Sequence, residues 1–188
     1  MKAWKTIVLC LILIFFSGGC SEPPAPVEEP EPLPPNILII LADDAGYADF
    51  GFQAETGLST PNIDRLASRG FVFSDAHVTA TVCSPSRAGL LTGRYQQRFG
   101  YESNSPPASM GLDAAERTLA ALLKEQGYRT GAFGKWHLGL QDEHHPNNRG
   151  FDEFYGFLGG SRSYFPSPLQ DRPGSPRAIM HNREYVSF

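Results

Sequence analysis

The order of apolar and polar residues along the chain predicts an α/β fold. Five consecutive apolar residues, Ile37 to Leu41, precede two aspartates, and such a run is typical of a fully buried strand of a parallel sheet. Residues 71–76 and 128–137 predict two further strands. Because helical patterns lie between these strands, the chain is expected to form a mainly parallel sheet flanked by helices.

The first two of the three predicted helices each end at a glycine. The first begins at Thr60-Pro61, an N-cap residue followed by a proline at the first helical position, and stops at Gly70. The second spans residues 84–92 and stops at Gly93.

The third predicted helix covers residues 113–127. Asp113 is its expected N-cap, Glu116 occupies the capping-box position, and Gly127 ends it. Beyond Phe151 the chain is rich in glycine, proline and serine, and the pattern predicts no further element.

The first 19 residues resemble an export signal. Two lysines in the first five residues precede the apolar run Ile7 to Phe16, which is too short to span a bilayer. Small residues and then Cys20 follow, which is the order of a lipoprotein signal. We therefore expect a signal peptide at 1–19, a lipid anchor at Cys20, and a periplasmic or cell-surface location on a bacterial membrane; ordinary secretion with cleavage near Gly19 is the alternative.

Composition separates a linker from the folded part. Residues 21–35 contain seven prolines and four glutamates, so 20–35 is expected to be a stiff linker and 36–188 the catalytic domain. Without residues 1–19 the chain has 14 basic and 20 acidic residues, a net charge of −6. This charge argues against a nucleic-acid partner.

Two groups of residues lie where predicted strands end. Asp43 and Asp44 could share a divalent cation, and their oxygen atoms favour calcium or magnesium; capping of the next turn is the alternative. Lys135 and His137 could hold an oxyanion and supply a proton, or lie in a solvated loop.

Cys83 is the only cysteine of the predicted folded domain. It lies directly before a predicted helix, with Arg87 one helical turn further on, so the surroundings of residue 83 favour an anion. A thiolate nucleophile is one interpretation, and a buried structural cysteine is the other.

Two longer motifs indicate a family. CSPSRAGLLTGR, residues 83–94, resembles the first signature of the type I, formylglycine-dependent sulfatases, and GYRTGAFGKWHLG, residues 127–139, resembles the second. The resemblance covers residues 36 to about 160. It implies an alkaline-phosphatase/sulfatase-like fold and the hydrolysis of sulfate esters, which in an exported protein suggests a sulfated glycan.

The resemblance also implies a chemical role for Cys83. In this family a formylglycine-generating enzyme or an anaerobic sulfatase-maturing enzyme converts the cysteine to Cα-formylglycine, and Pro85 and Arg87 belong to the signal that it reads. One hydroxyl of the hydrated aldehyde attacks sulfur, and the other helps to expel sulfate.

The remaining roles follow by position. Asp43, Asp44 and the modified residue 83 are implied as ligands of Ca²⁺, with Mg²⁺ possible. Arg87 is implied to hold the aldehyde hydrate, Lys135 to bind sulfate oxygens, and His137 to hydrogen-bond near the nucleophile.

The chain lacks several residues that the family places later in its sequence, namely two metal ligands, the acid for the leaving group and a second sulfate-binding lysine. We therefore expect an amino-terminal portion of a sulfatase, apparently truncated and inactive alone. Two alternatives stay open: a phosphonate or phosphodiester hydrolase of the same superfamily, and a non-catalytic surface lipoprotein that binds sulfated glycan.

Overall fold

The computed structural model describes residues 33–54, 57–104 and 111–187. The chain divides into two units, Met1–Ile40 and Leu41–Phe188. The expected signal peptide, Cys20 and the linker up to residue 32 lie outside the described residues. No helix in the described part is both long and apolar enough to cross a bilayer.

The helices and strands of the described residues lie in the second unit. Its α-helices within the described residues are α1 (Pro61–Ala67), α2 (Cys83–Thr92) and α3 (Leu119–Glu125). Its strands there are β1 (Gly131–Lys135), β2 (Glu153–Phe157), β3 (Met180–His181) and β4 (Glu184–Tyr185). Short 3₁₀ helices cover Tyr47–Asp49, Gln96–Phe99, Asp142–His144 and Pro146–Arg149.

The strands form one sheet in the order β1-β2-β3-β4. The five-residue strands β1 and β2 are parallel, and Lys135 at the end of β1 pairs with Phe157. The two-residue strands β3 and β4 add antiparallel pairs, so the sheet is mixed. Helices combined with a parallel strand pair confirm the predicted α/β class.

The core lies between α2 and the sheet. Trp136 and Leu138 follow β1 directly and are buried with Ala88 of α2 and Phe154 of β2. The Trp136 indole donates a hydrogen bond to the His144 carbonyl at 2.9 Å, so its one polar atom is satisfied. The end of β1 is therefore fixed by packing against the helix that begins at Cys83.

The predicted strand Ile37 to Leu41 is wrong for this structure. Residues 33–42 form neither helix nor strand, and Leu38 is 83% exposed. A parallel strand needs a neighbour to accept its backbone hydrogen bonds, and the four strands of the described sheet do not include this segment.

The predicted strand at 71–76 is also absent, and Phe71 and Phe73 are exposed. Conversely, the structure contains a strand, β2, in the region where the sequence predicted no element. Helix α1 matches its prediction, with Thr60 as N-cap and Pro61 at the first position.

The third helix begins five residues later than the predicted N-cap implies. Thr118 caps α3, because its hydroxyl accepts a hydrogen bond from the Ala121 N–H at 3.1 Å. The guanidinium of buried Arg149 donates to the carbonyls of Asp113 and Glu116 at 2.8 and 2.6 Å. These carbonyls are held by Arg149, so residues 113–116 form a turn.

Candidate active site

Three segments of the second unit meet at the candidate site. Asp43 and Asp44 lie in a loop, Cys83 and Arg87 lie in the first half of α2, and Lys135 ends β1. The sequence predicted all five of these residues as members of a site. Asp43, Arg87 and Lys135 are in direct contact with one another, and Asp44 lies beside Cys83.

The Asp43 carboxylate is held by two cations. Lys135 Nζ lies 3.0 Å from both carboxylate oxygens, and an Arg87 nitrogen lies 3.2 Å from one of them. Arg87 also donates to the backbone carbonyl of Lys135 at 2.7 Å, which ties α2 to the end of β1. The side chains of Lys135 and Arg87 are only 7% and 13% exposed, so both charges are directed into the site.

This environment sets the ionisation of Asp43. Partial burial by itself would raise the pKa of Asp43, but hydrogen bonds from Lys135 and Arg87, together with their positive charges, hold the pKa below its ordinary value. Asp43 is therefore a carboxylate at neutral pH, as a metal ligand must be.

Asp44 and Cys83 complete a compact group of donor atoms. The Cys83 Sγ lies 4.0 Å from an Asp44 oxygen, and one donor atom each from Asp43, Asp44 and Cys83 lie within 4.8 Å of one another. Asp44 has φ of 55°, a left-handed conformation that aspartate tolerates better than most residues. This turn lets two adjacent carboxylates point towards one centre.

Hydrogen bonds from residues near Cys83 hold the first turn of α2 and the chain that leads into it. The Ser84 N–H donates to Asn104 Oδ1 at 2.9 Å, which satisfies one of the free amides of the first turn. Pro85 is buried in that turn, where no amide hydrogen is needed. The Ser86 hydroxyl donates to the carbonyl of Ala80 at 2.7 Å and to that of Val82 at 2.9 Å, which fixes the entering chain.

His137 lies two residues beyond β1 in a left-handed conformation, with φ of 59°. Its N–H donates to the Leu158 carbonyl at 3.1 Å, and its own carbonyl accepts from the Ser84 hydroxyl at 2.5 Å. Its pKa lies below the ordinary value because the ring is partly buried and because Lys135 and Arg87 are positively charged. The imidazole is therefore neutral at pH 7.

Gly160 lies directly against the His137 ring. A Cβ atom at this glycine would come within 2.6 Å of Cε1 and 2.7 Å of Nε2, so a larger residue would displace the ring. Sequence reasoning did not identify Gly160, Ser84, Tyr101 or Asn104 as part of the site. The Gly159-Gly160 pair was the one local signal that could have indicated a close approach.

The fold and the geometry describe an α/β protein in which two carboxylates, a cysteine and two cationic side chains meet at one place. The family model described as Sulfatase matches residues 35–177. The chain is 50% identical over 123 residues to arylsulfatase G of Mus musculus and 49% identical over 149 residues to arylsulfatase A of Bos taurus. The chain belongs to the sulfatase family.

A solved structure agrees with this assignment. The crystal structure of Ps i-CgsB is 44% identical and superimposes with a TM-score of 0.72 over 78% of this chain and 36% of that chain; Ps i-CgsB has also been solved in complex with k-i-k-neocarrahexaose. The chain covers 23% of mouse arylsulfatase G and 29% of bovine arylsulfatase A, so it spans less than a third of these relatives.

Proposed function

We propose that this chain carries the nucleophile and part of the cation site of a sulfuric ester hydrolase. One observation carries the proposal: Cys83 Sγ and the carboxylates of Asp43 and Asp44 lie within 4.8 Å of one another, beside two cationic side chains. Sulfate is an anion and its ester must be attacked at sulfur, so the reaction needs a nucleophile and positive charge at one place.

The donor chemistry supports an oxygen function at residue 83. Calcium and magnesium prefer oxygen ligands, whereas the thiol of unmodified Cys83 is a soft donor. Conversion of Cys83 to Cα-formylglycine replaces this sulfur by oxygen and makes the three-residue set of Asp43, Asp44 and residue 83 fit Ca²⁺. The conversion is an oxidation, which a formylglycine-generating or anaerobic sulfatase-maturing enzyme must perform.

The chain's own residues have separable tasks in this proposal. Arg87, anchored on the Lys135 carbonyl, orients the group at residue 83, and the Lys135 ammonium binds a sulfate oxygen. Neutral His137 accepts or donates a hydrogen bond near the nucleophile. When bound, the divalent cation would polarise the sulfate group, and the hydrated aldehyde would supply the attacking hydroxyl.

The charge of the site also favours a sulfate ester. Asp43 and Asp44 balance Arg87 and Lys135, so a divalent cation makes the site positive overall and attractive to an anion. We propose a sulfated glycan as the substrate, on the ground that the similar Ps i-CgsB is solved with k-i-k-neocarrahexaose. We further propose export and attachment to a bacterial membrane through Cys20.

Mass spectrometry tests the modification directly. The chain is expressed with and without a maturing enzyme, and the tryptic peptide Gly70 to Arg87 is analysed. We expect a fraction in which the thiol and one hydrogen are replaced by a carbonyl oxygen, and this fraction should react with a hydrazide. Cys83→Ala is the matched control, and it should yield no reactive peptide. A free thiol in every molecule would contradict the proposal.

Calcium titration and substrate choice test the remaining parts. We expect the formylglycine form to bind Ca²⁺ more tightly than the thiol form, and Asp44→Asn to weaken binding in both. Equal calcium affinity of the two forms would argue against residue 83 as a ligand. Tighter binding of an aryl phosphonate diester than of an aryl sulfate would favour the phosphonate or phosphodiester hydrolase instead.

A further inference from the structure

A buried serine connects the two motifs of the site. Ser84, the residue after Cys83, is 1% exposed. Its hydroxyl lies 2.5 Å from the backbone carbonyl of His137 and 2.8 Å from the hydroxyl of Tyr101, which is itself 3% exposed. These contacts bring together residues 84, 101 and 137, which are far apart in sequence.

The direction of both hydrogen bonds is determined by the chemistry of the three groups. A carbonyl oxygen only accepts, so the single hydroxyl hydrogen of Ser84 must be donated to His137. The Tyr101 hydroxyl must then donate to Ser84 Oγ. Burial raises the pKa of Tyr101, so the phenol keeps this hydrogen at working pH.

The accepting residue has an unusual backbone conformation. His137 is one of three non-glycine residues with positive φ in the described part of the chain. Its N–H is bonded to Leu158 beyond β2, and its carbonyl is bonded to Ser84 on α2. Leu158 and Ser84 therefore hold the two backbone polar groups of His137, which supports its left-handed conformation.

We propose that Ser84, oriented by Tyr101, is a positioning residue that holds His137 in its left-handed conformation against the start of α2. The role of these Tyr101–Ser84–His137 hydrogen bonds in catalysis rests on the proposed sulfatase activity, because His137 can act in catalysis only if a reacting group is present at residue 83. The positioning itself does not depend on that activity.

Packing alone is the competing explanation for a buried serine. If Ser84 only fills space, its replacement should destabilise the whole domain evenly. If Ser84 positions His137, its replacement should increase amide exchange at His137 more than at neighbouring residues. Trp136 provides an internal reference, because its N–H donates to Phe157 at 3.0 Å, one residue before His137 on the same ladder.

Amide hydrogen exchange measured by NMR on the full chain distinguishes these explanations. The quantity is the exchange rate of the His137 amide divided by that of the Trp136 amide. We expect Ser84→Ala to raise this ratio about tenfold, which corresponds to about 1.4 kcal/mol. Ser84→Thr keeps the hydroxyl and should restore the ratio.

Two further variants complete the test. Tyr101→Phe should raise the ratio by a smaller factor, about threefold, because Ser84 keeps its bond to His137. Thr92→Val is the matched control: it removes a hydroxyl that donates to the Ala88 carbonyl at 2.8 Å in the same helix, and it should leave the ratio unchanged. An unchanged ratio in Ser84→Ala overturns the proposal, as does an equal rise in Thr92→Val. If Ser84→Ala does not fold, an unchanged ratio in Tyr101→Phe overturns it.

The positioning proposal and the proposed function fail separately. The exchange ratio is measured on the chain as it is expressed, and it does not require turnover. A free thiol at residue 83 in every molecule exposed to a maturing enzyme would contradict the proposed function and leave the exchange result standing.

Discussion

The two sides of the candidate site are built in different ways. On one side, Arg87 and Lys135 extend from α2 and β1, are almost buried, and are joined by a hydrogen bond to backbone. On the other side, Asp43 and Asp44 lie in a loop that follows the exposed apolar residues 37–41. The acidic pair depends on side-chain contacts, whereas the cationic pair is part of the packed framework.

This difference shows what organises the site. The positions of Arg87 and Lys135 are determined by helix packing and by the strand ladder, without a ligand. The position of Asp43 depends on its contacts with these two cations. We therefore expect substitutions in the packed residues next to Arg87 and Lys135 to lower the free energy of unfolding strongly. Substitutions in the exposed segment that precedes Asp43 should change it little.

Matched leucine truncations give the largest expected contrast. Leu138 is fully buried behind β1, so Leu138→Ala should lower the free energy of unfolding by about 2–5 kcal/mol. Leu38 is 83% exposed, so Leu38→Ala should change it by less than about 0.5 kcal/mol. Urea denaturation followed by circular dichroism measures both. Similar losses for the two variants would show that residues 37–41 are packed in solution.

A helix cap gives an intermediate effect and tests where α3 begins. Thr118 is 1% exposed and caps α3, so Thr118→Ala should lower the free energy of unfolding by about 1–2 kcal/mol. The Asp113 carboxylate accepts a local bond from the Ala115 N–H at 2.9 Å, and Asp113→Ala, which keeps the backbone carbonyl, should change the free energy of unfolding by less than about 0.5 kcal/mol. A larger loss in Asp113→Ala than in Thr118→Ala would support the cap that the sequence predicted.

Local signals in the sequence predicted the framework best. Helix α2 ends at Gly93, which has φ of 64° and closes the helix with an N–H bond to Gly89, as the glycine indicated. Cys83, Arg87 and Lys135 were identified because each lies in a continuous motif, and the structure places these motifs on two elements that pack together. In these cases the residues that determine the structure lie close together in the chain.

Features that depend on distant partners could not be predicted from the pattern. The run Ile37 to Leu41 has the composition of a buried strand, but composition does not supply a neighbouring strand. The start of α3 depends on Arg149, which binds carbonyls more than 30 residues away. Ser84 and Tyr101 are recognisable only after folding, because neither is unusual in its own segment.

The last prediction, with a small effect on stability, concerns Asp43, where the acidic side contacts the cationic side. Asp43 has a pKa below its ordinary value, so its ion pairs with Lys135 and Arg87 stabilise the fold at neutral pH. This stabilisation is lost as the pH falls from the unfolded-state value of 3.8 through the lower folded value, because the carboxylate becomes protonated. With 47% of its side chain exposed, Asp43→Asn should cost no more than about 1 kcal/mol at pH 7.

The pH dependence of that cost is the decisive part of the measurement. At low pH protonated Asp43 resembles asparagine, so the urea midpoints of the parent and Asp43→Asn should begin to converge below pH 3.8 and should coincide once the pH is below the lower folded pKa. Asp75→Asn, at a carboxylate that is 90% exposed, is the matched control and should change the midpoint little at any pH. If the gap between parent and Asp43→Asn persisted in acid, the cost would come from lost packing, and the acidic side would not depend on the cationic side for its position.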